Sequence, residues 1–221
     1  MNPSLVGSEM CIRDRWRALL QWLGGVGIIV MALSILPVLQ VGGMQVFRTE
    51  SSDTTDKILP RTAQISSAVI LIYFILTFSC FSLYWILGMN AFDSFAHSMT
   101  TIATGGFSTK SESIGFFNNA YIEYTSAVFM LLSSLPILIY LKFSKKQFKS
   151  VINDTQVRTF FIIIITSVIL VVTYLWINEI KNLADAIRYG FVNVTSIITG
   201  TGYTTDNYNL WGPFPIYLLF F

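Results

Sequence analysis

Two short segments of the chain carry the same pattern of glycines, hydroxyl residues and one aromatic residue. The first is Ile102-Ala-Thr-Gly-Gly-Phe-Ser-Thr109, and the second, 96 residues later, is Ile198-Thr-Gly-Thr-Gly-Tyr-Thr-Thr205. Glycine lets the backbone turn its carbonyl oxygens toward a common axis, where they can replace the water shell of an ion. We name these segments loop 1 (103–109) and loop 2 (199–205). Their repetition predicts a pathway for cations.

The predicted ion-binding atoms are backbone carbonyl oxygens on ten residues. They belong to Ala103, Thr104, Gly105, Gly106, Phe107, Thr199, Gly200, Thr201, Gly202 and Tyr203. The aromatic rings of Phe107 and Tyr203 are expected to pack behind the loops as supports. The alternative is that both loops are ordinary glycine turns between helices. Two copies in register, each after a segment too short to cross a bilayer, favour the filter.

The composition indicates a membrane protein. Of the 221 residues, 53% are hydrophobic and 12% are charged, and the mean hydropathy is +0.62. A soluble domain carries roughly a quarter charged residues. The net charge of +2 gives no indication of nucleic-acid binding. We find no P-loop, HExxH or G-x-S-x-G pattern, so no enzyme is predicted. Cys11 and Cys80 predict neither a disulfide nor a metal site.

The order of apolar spans predicts an all-α polytopic membrane protein. Spans long enough to cross a bilayer are expected at 19–41, 65–87, 120–141 and 159–177, with another beginning at 214. Helices too short to cross are expected at 92–103 and 183–198, directly before the loops. Pro37 and Pro136 lie 99 residues apart, which suggests that the first and third spans are equivalent members of a repeat. Residues 1–15 look like a non-native leader, so the sequence is interpreted as a fragment.

The distribution of basic residues predicts the orientation. Segments 42–64 and 142–158 hold eight Lys and Arg residues, whereas 88–119 and 178–212 hold three. Because basic loops stay on the cytoplasmic side, both glycine loops are expected to face outside. The cluster from Lys142 to Lys149 is most simply a determinant of this topology, and docking of a partner is the alternative.

Several polar side chains near the loops allow two interpretations each. His97 and Asn193 share the 96-residue offset, and either steady the loops by hydrogen bonds or relay protons. Glu123, near the outer end of the third span, is solvated or paired in one interpretation and functional within the membrane in the other. Four acidic residues could form an outer mouth that attracts cations: Asp93, Glu112, Asp185 and Asp206. Helix capping explains Asp93 and Asp185 equally well.

The motifs resemble those of the Trk-type potassium uptake proteins in the Trk/Ktr/HKT superfamily. The matching stretches are the two loops, Gln21-Trp-Leu-Gly-Gly-Val-Gly-Ile-Ile-Val30 and Val41-Gly-Gly-Met-Gln45. The resemblance implies four repeats of helix M1, pore helix and helix M2 around one pathway. The chain would then contain M2 of the first repeat with a cytoplasmic loop (16–64), the second repeat with a cytoplasmic loop (65–158) and part of the third repeat (159–221). About two and a half of the four repeats are therefore expected.

The same resemblance implies the activity and its setting. Potassium is the expected substrate, bound through carbonyls of Thr104, Gly105, Gly106, Gly200, Thr201 and Gly202, and no cofactor is expected. A bacterial inner membrane, a cytoplasmic nucleotide-binding regulatory subunit and a homodimer are implied as well. Neither loop has the full TVGYG sequence of a potassium channel, which predicts a shorter filter with fewer ordered ion sites. The alternatives are a sodium-conducting member of the superfamily and a membrane scaffold that transports nothing.

Overall fold

The computed structural model describes residues 3–39, 58–136, 139–140 and 154–220, and within these ranges the regular structure is entirely helical. The α-helices are, in order, α1 (Pro3–Leu39), α2 (Ile58–Ile86), α3 (Ala91–Ile102), α4 (Ala120–Ser134), α5 (Thr155–Ile177), α6 (Leu183–Ile198) and α7 (Pro213–Phe220). Two 3-10 helices, Ser113–Phe117 and Tyr208–Trp211, lie in the segments that follow the glycine loops. The all-α prediction is confirmed for this part of the chain.

The first two long helices begin earlier than the sequence predicted. Helix α1 starts at Pro3 inside the presumed leader, and the Arg15 guanidinium lies 5.2 Å from the ring centroid of Phe92. Charged side chains exclude a segment from the apolar part of a bilayer, but they do not interrupt a helix. Helix α2 likewise starts at Ile58, so the polar connection predicted for 42–64 is helical from that residue on. The remainder of that connection lies outside the described residues.

The third predicted span is not one continuous helix. Helix α4 ends at Ser134, and Leu135 adopts an extended conformation with ψ 141°. A proline ring disfavours the helical conformation of the residue before it, and Pro136 follows Leu135 directly. The span predicted at 120–141 therefore does not hold one unbroken helix, because α4 ends before Pro136. Pro37 differs, because it lies inside α1 and that helix continues to Leu39.

The two short helices are confirmed, and each begins with the same cap. The Asn90 side chain accepts a hydrogen bond from the Asp93 amide (2.7 Å), and Asn182 accepts one from the Asp185 amide (2.8 Å). Each asparagine also donates its Nδ2 hydrogen to the aspartate carboxylate at 2.8 Å. The caps lie 92 residues apart and the helix ends 96 apart, so α6, with 16 residues against 12, is one turn longer than α3.

Each short helix is held by longer helices around it. Helix α3 packs against α1, α2 and α4, and α6 packs against α4 and α5. Between α1 and α2, Trp22 donates its indole hydrogen to Thr77 Oγ1 (3.0 Å), and Tyr73 donates to the Trp22 carbonyl (3.2 Å). Between α5 and α6, a Cβ atom on Gly190 would come within 2.9 Å of Val172 Cγ2. Small residues and buried hydroxyls thus bring the helices into close contact.

Two helices in the described part of the chain are long and apolar enough to cross a membrane: Ser66–Ile86 in α2 and the whole of α5. Large apolar side chains on their outer faces are exposed, including Phe78 at 71% and Ile169 at 58%. Lipid would cover such faces. Lys142–Lys149 and most of 42–64 lie outside the described residues, so the orientation stays a prediction.

Candidate ion-filter site

The two glycine loops share an unusual backbone conformation. In loop 1 the positive φ angles are 49° at Thr104 and 65° at Gly106, and in loop 2 they are 73° at Gly200 and 84° at Gly202. These positions correspond under the 96-residue offset, while Gly105 and its counterpart keep ordinary φ values. A threonine with positive φ is strained, because its Cβ disfavours the left-handed region. Loop 1 thus keeps the backbone shape of loop 2 even where it lacks a glycine.

The first amide groups of each loop, those of 103–105 and 199–202, are bonded to the helix that precedes the loop. In loop 1, the Ala103 amide donates to the Met99 carbonyl at 3.0 Å, and the Gly105 amide donates to the Thr100 carbonyl at 2.8 Å. Loop 2 repeats this arrangement with amides of Thr199, Gly200, Thr201 and Gly202 donating to carbonyls of Thr195, Ile197 and Ser196. The last turn of each short helix therefore fixes the path of its loop.

The carbonyl oxygens of the loops are mostly left without partners. Among the residues that the structure describes, no hydrogen bond is accepted by the carbonyls of Ala103, Thr104, Gly106, Thr199, Gly200, Thr201 and Gly202. A carbonyl removed from water needs a partner, and an unmet one costs roughly 1–3 kcal/mol. A row of such oxygens, held by amides bonded elsewhere, has the chemistry to coordinate a dehydrated cation.

The loops meet at Gly106. A Cβ atom on Gly106 would overlap the carbonyl oxygen of Thr201, so only glycine allows this approach of the two backbones. Gly200 and Gly202 differ, because a Cβ atom on either would have no neighbour within 4 Å in the described part of the chain. The structure thus brings the two predicted sets of carbonyls side by side.

Tyr203 packs behind the loops, as predicted. Its ring is buried (1% exposed), and its hydroxyl lies 2.5 Å from Thr100 Oγ1 and 3.3 Å from Thr101 Oγ1. Phe107, the other predicted support, packs differently. Phe107 is half-buried, and the Arg17 guanidinium lies 5.8 Å from its ring centroid. Phe107 has no hydroxyl to anchor in the helix behind it, so the two rings are not interchangeable.

The predicted hydrogen bonds from the short helices to the loops are confirmed. A ring nitrogen of His97, Nε2, lies 2.9 Å from Ser108 Oγ, and Nδ1 lies 2.8 Å from the Asp93 carbonyl. Asn193 contacts Thr205 twice, donating to its hydroxyl at 2.7 Å and accepting from its amide at 3.2 Å. Equivalent positions on the two short helices therefore hold the chain just beyond each glycine pair.

The acidic residues do not form a set of free carboxylates around the site. Asp93 is buried and is bonded to Thr109 Oγ1 (2.5 Å) and Lys110 Nζ (3.3 Å). Asp206 pairs with Lys181 at 2.8 Å. Burial opposes ionisation of Asp206, but bonds from Lys181 and a tryptophan indole outweigh it and lower its pKa. The mouth hypothesis is thus wrong for Asp93, whose charge is enclosed and compensated.

Asp185 lies in the first turn of α6, where its carboxylate accepts a hydrogen bond from the cap residue Asn182, and Glu112 is exposed. Lys110 pairs with Asp93. Its counterpart under the 96-residue offset, Asp206, pairs with Lys181. Each glycine loop therefore has an ion pair beside it, with the charges exchanged between corresponding positions. This exchange balances the charge around each loop instead of accumulating negative charge.

Glu123 is paired, as one of its two interpretations predicted, and it is not solvated. Its side chain is 1% exposed, and its two oxygens accept hydrogen bonds from Arg188 Nε (2.8 Å) and Nη2 (2.6 Å). The pair joins α4 to α6. Sequence reasoning missed Arg188, because nothing in its local sequence indicates a partner 65 residues away.

Sequence reasoning assigned the capping to the aspartates instead of Asn90 and Asn182, and it missed Gln21. The caps had a signal, because Asn-x-x-Asp occurs before both short helices (Asn90 to Asp93 and Asn182 to Asp185). Gln21 donates its Nε2 hydrogen to the Gly105 carbonyl at 3.0 Å, and no local pattern could have indicated that contact. In the described residues, no cluster of three or more His, Cys, Asp or Glu side chains is arranged to hold a metal ion.

Comparisons with known proteins agree with this architecture. A family profile, TrkH, described as cation transport protein, matches residues 12–220. The chain is 38% identical over 207 residues to the Trk system potassium uptake protein TrkI of Halomonas elongata, covering 93% of this chain and 42% of the relative. It is 39% identical over 209 residues to Trk system potassium uptake protein TrkH of Escherichia coli K12, covering 92% and 43%.

The crystal structure of the potassium transporter TrkH from Vibrio parahaemolyticus matches the fold with a TM-score of 0.79 at 33% identity, covering 92% of this chain and 42% of that one. The chain thus spans less than half the length of these relatives. A profile match over nearly the whole chain and a shared fold at this identity identify the family, which consists of membrane transport proteins and not enzymes. The chain belongs to the TrkH family of cation transport proteins.

Proposed function

We propose that the full-length protein takes up potassium across the bacterial inner membrane, and that loops 1 and 2 form two of the walls of its ion filter. The observation that carries the proposal is the difference between the amides and the carbonyl oxygens within each loop. The first amides of each loop are bonded to the preceding helix, and most of the carbonyl oxygens have no partner among the described residues. Relatives that share this architecture are named potassium uptake proteins.

A cation that leaves water must exchange its hydration shell for other oxygens. The ten loop residues predicted above supply them, and Gly106 and Gly202 allow the backbone to turn at equivalent points. Helices α3 and α6 both end at the loops, so the negative ends of their dipoles also favour a cation there. The loops are held by side chains behind them, chiefly Tyr203, so their oxygens would keep their spacing as ions pass.

The proposal extends to the setting of the protein. With the basic segments in the cytoplasm, both loops would face outside and receive external potassium. The family resemblance supports a cytoplasmic nucleotide-binding regulatory subunit as partner, and assembly of two copies of the protein. Co-purification of the full-length protein with such a subunit, and its mass in detergent, would test these two assignments separately.

The test of potassium uptake uses two glycines at which a side chain would impose similar backbone strain. Gly202 and Gly88 both have positive φ (84° and 104°), and a Cβ atom on either has no neighbour within 4 Å in the described part of the chain. Gly202 lies in loop 2, whereas Gly88 lies after α2, away from the loops. Gly202→Asp and Gly88→Asp therefore impose similar strain, and only the first places a carboxylate in the proposed pathway.

The full-length protein and both variants would be expressed in bacteria that lack their own potassium uptake. Growth at limiting potassium and rubidium uptake would be recorded at matched membrane abundance. We expect rescue by the native protein and by Gly88→Asp, and failure of Gly202→Asp. Equal rescue by both variants would refute the filter assignment. Sodium uptake without rubidium uptake would favour the sodium-conducting alternative.

A further inference from the structure

One face of α1 lies along loop 1. Arg17, Gln21 and Gly25 are spaced four residues apart, which places them on the same side of the helix. Their contacts run down the loop in reverse order. The Arg17 guanidinium lies over the ring of Phe107, the Gln21 amide bonds to the Gly105 carbonyl, and a Cβ atom on Gly25 would lie 3.4 Å from the Ala103 Cβ.

The central contact of this face is specific in its chemistry. The Gln21 amide nitrogen lies 3.0 Å from the Gly105 carbonyl oxygen, and only the NH2 end of the amide can donate to a carbonyl. The other end of the amide, Oε1, is buried and has no hydrogen-bond partner among the described residues. A buried amide oxygen without a partner is a cost that the Gly105 contact must offset.

The fit between the two residues is close. A Cβ atom on Gly105 would lie 2.5 Å from Gln21 Oε1 and 2.7 Å from its Cδ, so the glycine leaves the space that the amide fills. Gly105 does not have a positive φ, so its backbone conformation suits alanine as well. The glycine at this position is thus required by Gln21 and not by the turn.

Loop 2 has no equivalent of this contact among the described residues. Gly105 corresponds to Thr201, whose carbonyl oxygen lies against Gly106 and accepts no hydrogen bond within the described ranges. The carbonyls on either side of Gly105, those of Thr104 and Gly106, are also without such bonds there. Among the carbonyl oxygens of Thr104, Gly105, Gly106 and Thr201, the one on Gly105 is therefore anchored, by a side chain of α1.

We propose that Gln21 is a positioning residue that sets the ion selectivity of loop 1 by anchoring the Gly105 carbonyl. A carbonyl oxygen can accept one hydrogen bond and still offer its second lone pair to a cation. Fixing its position keeps the oxygen from closing around a smaller ion, and the donor also reduces the field that the ion feels. The inference rests on the proposed function, because selectivity has meaning only if the loops carry ions.

The first test replaces the amide and keeps the size of the side chain. Gln21→Met in the full-length protein removes the donor, and Leu20→Met, at an exposed neighbouring position on α1, is the control. Competitive uptake of rubidium and sodium would be measured at matched membrane abundance. We expect the preference for rubidium over sodium to fall on the order of fivefold in Gln21→Met, the size expected for one net hydrogen bond, and to stay unchanged in Leu20→Met.

The second test uses the steric fit and distinguishes a specific contact from general damage. Gly105→Ala should lower the rubidium preference because the new methyl group displaces the amide. In a Gln21→Ala background the methyl group has room, so adding Gly105→Ala should change the preference little further. This double-mutant cycle also decides the matter if Gln21→Met fails to accumulate.

The outcomes separate the two proposals. A native protein that takes up rubidium, together with an unchanged preference in Gln21→Met or additive effects in the cycle, would overturn the role of Gln21 and leave potassium uptake standing. A native protein that takes up neither rubidium nor potassium would overturn the proposed function and this inference with it. Loss of preference in Gln21→Met with a non-additive cycle would support both.

Discussion

The buried ion pair between Glu123 and Arg188 predicts an asymmetric response to mutation. The Glu123 side chain is 1% exposed and receives two hydrogen bonds from one guanidinium, while the Arg188 side chain is 17% exposed and retains some access to water. Arg188→Gln would leave a buried carboxylate without its counter-ion, which costs about 3–5 kcal/mol. Glu123→Gln would leave a charge that can still reach solvent, so we expect a loss of about 1–3 kcal/mol.

The assay is thermal unfolding of the full-length protein in detergent. At roughly 2–4 °C per kcal/mol, Arg188→Gln should lower the apparent melting temperature on the order of 10 °C, and Glu123→Gln about half as much. The double variant should lose less stability than the two single losses added together, because neither charge then remains unpaired. Additive effects, or a larger loss from Glu123→Gln than from Arg188→Gln, would show that the pair does not act as a buried unit.

Two further predictions concern packing around the loops. Tyr203→Phe removes the hydroxyl beside Thr100 and should lower the stability by about 1 kcal/mol in thermal unfolding and reduce the rubidium preference in uptake. An unchanged stability together with an unchanged preference would show that the ring alone supports the loop. Gly190→Ala places a methyl group against Val172 and should destabilise the protein by about 1–3 kcal/mol. The control is Gly24→Ala, which has no neighbour within 4 Å in the described residues and should be neutral or slightly stabilising. Equal effects of the two variants in the same melting assay would contradict the close contact of α5 with α6.

The elements around the site could be predicted because their signals are local. The bounds of α6 match the prediction, since Asn182 and Asp185 mark its start and Gly200 follows its end. The loops were predictable because the same glycine pattern occurs twice, and repetition rules out coincidence more strongly than any single motif. His97 and Asn193 were paired by the same offset, which the structure confirms through their bonds to the loops.

Errors arose where a boundary depended on more than composition. The first apolar span was expected to begin at 19, but a helix tolerates charge and α1 extends back to Pro3. The third span looked continuous by hydropathy, yet Pro136 ended the helix through its effect on Leu135. In both cases hydropathy indicates where a segment can lie, whereas backbone sterics and hydrogen bonding decide where the helix ends.

The contacts that position the site could not be predicted from the sequence. Arg188 and Glu123 lie 65 residues apart, and Gln21 and Gly105 lie 84 apart. Such pairs depend on how whole helices pack, and no periodicity encodes them. Tyr203 was expected to pack behind the loops, but nothing in the sequence indicated that its hydroxyl would contact Thr100 in α3, the helix that precedes loop 1. This contact between loop 2 and the helix of loop 1 is a tertiary property.

The most direct test of the filter is to locate the ion. Anomalous diffraction from crystals of the full-length protein grown in rubidium or thallium would show where a potassium-like cation binds. The account predicts density within coordination distance of the carbonyl oxygens of Thr104, Gly106, Gly200 and Gly202. Density confined to side-chain carboxylates elsewhere, in a protein that takes up rubidium, would contradict the assignment of the glycine loops as the filter.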